Sequence, residues 1–318
     1  GAATDGTTKA FVLKSGMAHL DNSGIDINLS TGGADFRIPS NTVLNVDNGA
    51  KVNIGGATNT GLWLDGSLIL NNGARANFDR GTGSALDNYI QYTASGNASI
   101  WIGNGAQLHV GSQIRRQTTT TAGTLKFTQA NANTTVQIAK NSAPVNARGV
   151  FEILNEGSSF VQTETGSSIS ILRGQPSPAI AALYFDPASA SIATGSGFAI
   201  GGGVNGQTIR IYAGKPLQDL TINSVNAPVA QLDVLPLTLN GNLTINTGAT
   251  FNANGLDVNI KGNMVNAGTY NAAGNTTYFS GNANQAITGA TTFHNLVKNG
   301  GTARLTLNSA TPVTVSNN

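Results

Sequence analysis

Three histidines, His19, His109 and His294, are the first candidates for metal or acid–base chemistry in this chain of 318 residues. No two of them stand at the spacing of H-x-H or H-E-x-x-H, which would aim both rings at one ion. Each is expected as an exposed or locally hydrogen-bonded side chain. The lack of cysteine removes thiolate ligands and disulfides together. No G-x-S-x-G elbow supports a serine nucleophile. Gly201, Gly203 and Gly206 do spell G-x-G-x-x-G. A dinucleotide-binding loop must open a helix, however, and the alternating QTIRIYAG that follows reads as a strand. The glycines are expected to form a turn, with no cofactor and no metal bound.

Carboxylates that act together as acid and base, or that hold Ca²⁺, must be clustered. The 15 acidic residues stand almost singly, among them Asp47, Asp65, Asp79, Asp87, Glu152, Glu156, Glu164 and Asp186. Asp79–Arg80 and Arg115–Arg116 are the tight charged groups. Only stacking of residues roughly 20–27 positions apart would assemble a carboxylate site. A polysaccharide lyase or hydrolase is therefore the alternative, and a non-catalytic chain is the expectation.

The elements that would carry these residues are written in a repeat. TVLNVDNGAKVNI (42–54), SLILNNGARANF (67–78), SIWIGNGAQLHV (99–110) and NLTINTGATFNA (242–253) share one pattern, and VFEILNEGSSFV (150–161) and SASIATGSGFAI (189–200) follow it loosely. Each centres on a glycine: Gly49, Gly73, Gly105, Gly157, Gly195 and Gly248. Apolar residues alternate on both arms, which marks two short strands about a turn. Asn-Gly would often close a hairpin, but arms this short do not make stable isolated hairpins. Stacked coils satisfy all copies together, because each backbone pairs with the coils before and after it.

The spacing predicts an all-β, right-handed parallel β-helix with roughly 20–27 residues per coil and negligible helix. The six glycines are expected at corresponding turns. Leu68, Leu70, Ile100, Ile102, Leu108, Leu243 and Ile245 are expected inside. Asn48, Asn72 and Asn104 are expected to stack as a structural ladder. The side chain four places before each turn glycine points outward. Ile69, Trp101 and Ile153 are thus candidates for a surface contact, alongside Asn45 and Thr244. This row is too irregular for the flat threonine array of an ice-binding solenoid.

Composition agrees with the repeat. Gly 40 and Asn 38 supply the residues that best tolerate positive φ. At 39% hydrophobic and a net charge of +2 the chain has the means to fold. That near-neutral charge also lacks the basic footprint of a nucleic-acid binder. No apolar run approaches the ~20 residues of a membrane-spanning helix.

A longer period of roughly 76 residues overlies the coils from about residue 217 onward. PLTLNGN (236–242) returns as PVTVSNN (312–318), and Leu220 has its counterpart in Leu296. Residues 1–30 lack the pattern and form a segment of uncertain fold, and 31–318 are expected to be one solenoid. The chain opens without Met or a leader and stops in mid-pattern, so it is expected to be a slice of a longer polypeptide.

QIRRQTTTTAGTLKFTQ (113–129), NARGVFEILNEGSSFVQTETGSSISILRG (146–174) and the long phrase at 237–289 resemble large extracellular repeat proteins of Bacteroidota. The phrase LTINTGATFNANG, continued by GNMVNAGTY, FSGNANQAITG and FHNL, is the most specific part. The coil alternation is shared with filamentous-haemagglutinin-like adhesins. The resemblance implies a type IX-secreted-like surface protein, with these coils as a structural or adhesive stalk outside the cell. Its expected partners are surface glycans or other copies and segments of the same long protein, and not nucleic acid or a membrane interior.

Overall fold

The computed structural model describes residues 11–317 apart from 30–34, 56–59, 80–87, 94–96, 118–122, 141–147, 155–156, 176–179, 309 and 311. The described residues form strands and turns with no helix. Every strand pairing among them is parallel, and partners come from successive passes of the chain. This is the arrangement of a parallel β-helix.

Three faces are wound in order. The first has seven strands, from Gly16–Asp21 to Ser189–Ile192. The second runs the length of the molecule with twelve, from Asp26–Leu29 to Leu305–Asn308. The third has ten, from Phe36–Ile38 to Thr269–Asn271. The first coil precedes residue 31, because Met17 already pairs with Val43 and Ile27 with Val52.

Each coil puts alternate residues inside. Leu44, Leu68 and Ile100 form one inward column, with Leu68 in register with both neighbours. Leu68, Leu70, Ile100, Ile102, Leu108, Leu243 and Ile245 are all buried, as the alternation predicts. Further along, Phe127, Phe151, Phe160, Phe185 and Phe198 fill the interior with ring contacts of 5.0–6.1 Å. Not every inward position is apolar. Gln129 and Gln162 are buried in register, and Gln162 Nε2 donates to Gln129 Oε1 at 2.8 Å. Stacking bonds one amide to the next, while Gln162 Oε1 stays buried with no hydrogen bond among the described residues.

The coil length expected from the sequence is too narrow. On the second face the step from Lys51 to Arg75 fits it, but the steps from Arg75 to Gln107 and from Val136 to Ile169 overrun it. After Gly197 the coils shorten, as from Gly197 to Asp219 and from Gln285 to Leu305. Strand lengths barely change, so the extra residues sit in the connections, chiefly those from the second face to the third.

The first face stops where the coils shorten. Between Thr208–Ala213 and Asp219–Ile222 the chain crosses through 214–218, which includes Pro216. Proline cannot donate to a ladder, and Leu217 makes only a single bridge, to Leu239. A separate four-stranded sheet then begins at Leu237–Leu239. The long repeat falls in this part, and its copies occupy different faces. Leu220 lies on the second face and Leu296 in the four-stranded sheet, while Val229 lies on the third face and Leu305 on the second. Register on the second face carries Leu220 to Leu243, then to Met264 and Ile287. Leu296 therefore falls partway round the next coil, and the long repeat is not a whole number of turns.

The turn glycines divide. Gly49, Gly73, Gly105 and Gly195 occupy the corner between the first and second faces, with φ of 74–77°. Gly157 instead lies between the third and first faces, and Gly248 between the second and third. The glycine at the shared corner of the 159–171 coil is Gly166 (φ 87°). The same local turn serves every corner, so local sequence marks a turn without saying which one. At Gly73 an added Cβ would meet nothing within 4 Å. Glycine is favoured there by its left-handed φ alone, which costs another residue about 1–2 kcal/mol.

The expected ladder forms in part, since Asn104 reaches Asn72 but Asn72 and Asn48 reach the aspartates Asp47 and Asp21. Asn72 Nδ2 donates to Asp47 Oδ1 at 2.8 Å, Asn104 Nδ2 donates to Asn72 Oδ1, and Asn104 N–H donates to Asn131 Oδ1 at 2.8 Å. Asn48, Asn72 and Asn104 all have positive φ. Asparagine therefore supplies both the left-handed backbone and the side-chain ladder.

Candidate functional site

The expected apolar patch is only partly assembled. Ile69 and Trp101 are direct register partners on the first face, with Asn45 next to Ile69 and Thr128 next to Trp101. Both apolar residues are half-buried. The Trp101 ring folds over its own strand, since a Cβ at Gly103 would lie 2.3 Å from it. Ile153 is not part of this row. It is fully buried on the third face, in Phe151–Leu154, where Phe151 and Ile153 point inward and Glu152 outward. The Gly157 turn serves a different corner, so counting back from it reverses the facing. Thr244 lies on the second face, in register with Thr221.

A richer row runs along the third face. Register pairs Arg37 with Trp63, Trp63 with Gln91, and Gln91 with Arg115. Ile114 pairs with Phe151, and beyond it Glu152 pairs with Tyr184 and Tyr184 with Tyr212. The Arg37 guanidinium lies 4.1 Å from the Trp63 ring centroid, and that of Arg115 lies 3.9 Å from the Tyr89 ring. Cation–π contacts of this kind fix long cationic side chains in place.

Arg115 is a buried, structural member of the row. Its Nη1 donates to Gln113 Oε1, and the Tyr89 hydroxyl donates to Asp35 at 2.9 Å. Beyond it lies a buried ion pair. Arg148 and Glu152 are 4% and 2% exposed. Arg148 Nε donates to Glu152 Oε2 at 3.0 Å and Nη2 donates to Oε1, a bidentate fork. The Arg116 backbone N–H also donates to Glu152 Oε2, at 3.2 Å, and its Nε lies 3.6 Å from Oε1.

These groups form one side of a cavity of about 290 Å³, which Arg116, Arg148, Glu152, Tyr184, Tyr212 and Asp233 line. The two tyrosine rings meet edge to face at 4.5 Å. Asp233 pairs with Arg210, one strand away. Burial raises the Tyr184 hydroxyl above its ordinary pKa, and Tyr212 and Glu152 add to the shift. Tyr92, whose hydroxyl donates to the Glu152 carbonyl at 2.6 Å, is pushed well up, first by burial and then by the Glu152 charge. These phenols stay protonated at neutral pH and serve as donors, not bases.

The cavity is thus lined by two arginine side chains, a pair of aromatic rings and two carboxylates already engaged by arginine. Such a set recognises hydroxyl and acid groups on a ring-shaped ligand. A carboxylate whose two oxygens hold an arginine fork is poorly placed to take a proton.

Other sequence candidates are scattered. His109 points outward on the second face, 3.2 Å from Lys140 Nζ, and burial and then Lys140 lower its pKa. Lys140 in turn pairs with Asp79 at 3.1 Å. Asp65 accepts from Thr93 Oγ1, and Glu164 from Asn131 at 2.9 Å. His294 follows the strand Thr291–Phe293, far from the other two histidines in the coil order. Arg80, Asp87 and Glu156 lie outside the described residues. Gly201, Gly203 and Gly206 connect two strands and open no helix.

Register does assemble one cluster that sequence spacing hides. The ligand atoms of His19, Asp21 and Asp47 lie within 4.8 Å of one another. Both aspartates already accept from the asparagine ladder, Asp21 from Asn48 and Asp47 from Asn72.

The sequence marks Arg115–Arg116 as a tight pair and Glu152 as a single acid. It misses their meeting, because a full coil separates them. No protein family, curated protein or solved structure matches the chain.

Proposed function

We propose that the protein is an extracellular structural and adhesive β-helix, non-catalytic, that holds a surface glycan on its third face. One observation carries this reading: a single cavity combines two tyrosine rings with two arginine side chains, while both of its carboxylates are engaged by arginine. Aromatic rings supply apolar surface for a sugar face, and the surrounding N–H and O–H groups address its hydroxyls. The resemblance of its coils to Bacteroidota surface repeats supports the extracellular setting.

The alternative is a polysaccharide lyase or hydrolase, with Glu152 as its acid–base group. A glycan array read together with a product assay separates the two. Retention of a glycan without turnover, weakened tenfold or more by Tyr184→Ala, is the expected outcome. Release of unsaturated sugar from polyuronates, abolished by Glu152→Gln, would establish the enzyme instead.

A further inference from the structure

Resting on the glycan reading, we infer that the third-face cavity is one end of an elongated site, which takes several units of a linear polysaccharide and not a single terminal sugar. The argument begins with a second cavity, on the adjoining four-stranded sheet. It measures about 270 Å³, and Pro236, Thr238, Asp257, Asn259, Tyr278 and Asn299 are among the residues that line it.

Register brings these side chains together. Leu237–Leu239, Val258–Ile260 and Thr276–Phe279 pair in parallel, with Thr238 beside Asn259 and Asn259 beside Tyr278. Leu239, Ile260 and Phe279 next to them are buried, so the alternation turns this row of three outward, where it is half-exposed. Asn259 Oδ1 accepts from Ser280 Oγ at 2.5 Å, which holds the amide in place. An aromatic ring beside an amide and a hydroxyl suits a sugar, for the reasons that apply to the first cavity.

The corner 233–236 links the two cavities. Asp233 and Val234 line the first, and Pro236 and Leu237 line the second. Val234 and Pro236 are two residues apart, a span of at most about 7 Å. Val234 is 63% exposed, more than any other large apolar side chain among the described residues. It therefore presents apolar surface between the two aromatic ends.

The whole strip runs along the coil axis. Tyr184 pairs with Tyr212, and the Asp233 N–H donates to the Ile211 carbonyl at 2.9 Å, one strand further on. Thr238, Asn259 and Tyr278 continue the strip beyond the corner. Four strand spacings separate Tyr184 from Tyr278, roughly 19 Å along the axis. One sugar ring fills one cavity, whereas an elongated ligand touches both. Joining the two contacts on one ligand makes the second intramolecular and raises affinity without any stronger contact.

An array of 1,4-linked glucan, mannan, xylan and galacturonan ladders, from disaccharide to octasaccharide, followed by calorimetry on the ladder retained, tests this with the full chain. The octasaccharide should bind about tenfold or more tighter than the disaccharide. Tyr278→Ala, at a half-exposed outward position, should remove that gain while the circular dichroism stays unchanged. It should leave the disaccharide, held at the Tyr184–Tyr212 end, unaffected. Equal affinity along the ladder, or a gain that survives Tyr278→Ala, overturns the elongated site and leaves the glycan reading standing. So does retention of single-sugar or branched glycans with every ladder blank. An array blank for all glycans overturns the glycan reading itself.

Discussion

Replacing Arg148 with methionine should cost about 3–5 kcal/mol of folding stability, because it leaves a carboxylate buried without its partner. Glu152 is 2% exposed and receives both arms of the Arg148 fork. The Arg116 contacts that remain, at 3.2 and 3.6 Å, are too few to hold the charge. The loss should fall near residue 150, where three coils of the third face meet. Denaturant midpoints of Arg148→Met, Glu152→Leu and the double variant check this. The double variant should recover most of the loss, since removing both charges abolishes the desolvation penalty that either single change exposes. If Arg148→Met alone is near neutral, the pair is not buried in solution.

Phe160→Ala should be comparably severe, at about 3–5 kcal/mol. Its ring is fully buried and touches Phe127 at 5.7 Å, Phe151 at 6.1 Å, Phe185 at 5.0 Å and Phe198 at 5.5 Å. These residues belong to three faces and three successive coils. The cavity left by alanine would therefore loosen contacts on all sides. Trp101→Ala, at a half-buried outward position on the first face, should cost much less. Similar losses for the two would mean that Trp101 belongs to the interior and that the inward–outward assignment of this strand is wrong.

The alternation of apolar residues is enough to read the coil and its interior. Leu68, Leu70, Ile100 and Ile102 are buried because period-two alternation and one-sided burial are the same fact viewed twice. The asparagine ladder is legible for a related reason. Its three members share one corner and one backbone conformation.

The corners themselves are not legible. A glycine turn looks alike wherever it falls, so sequence groups Gly157 and Gly248 with Gly49 and turns Ile153 outward, although its strand lies on another face. Coil length hides the site as well. Arg115 and Glu152 become neighbours only across a connection of variable length, and nothing local in either strand fixes that length. The same applies to His19 and Asp47, brought together by the pairing of Gly16–Asp21 with Thr42–Asp47.

Hydroxyl-radical footprinting with and without the glycan retained on the array tests the third-face contact most directly. The two faces carry their own reporters: Tyr184 and Tyr212 line the cavity, and Trp101 lies on the first face. Ligand should protect both tyrosines from oxidation by severalfold and leave Trp101 unchanged. Protection of Trp101 with both tyrosines still reactive would contradict it and move the contact surface to the first face.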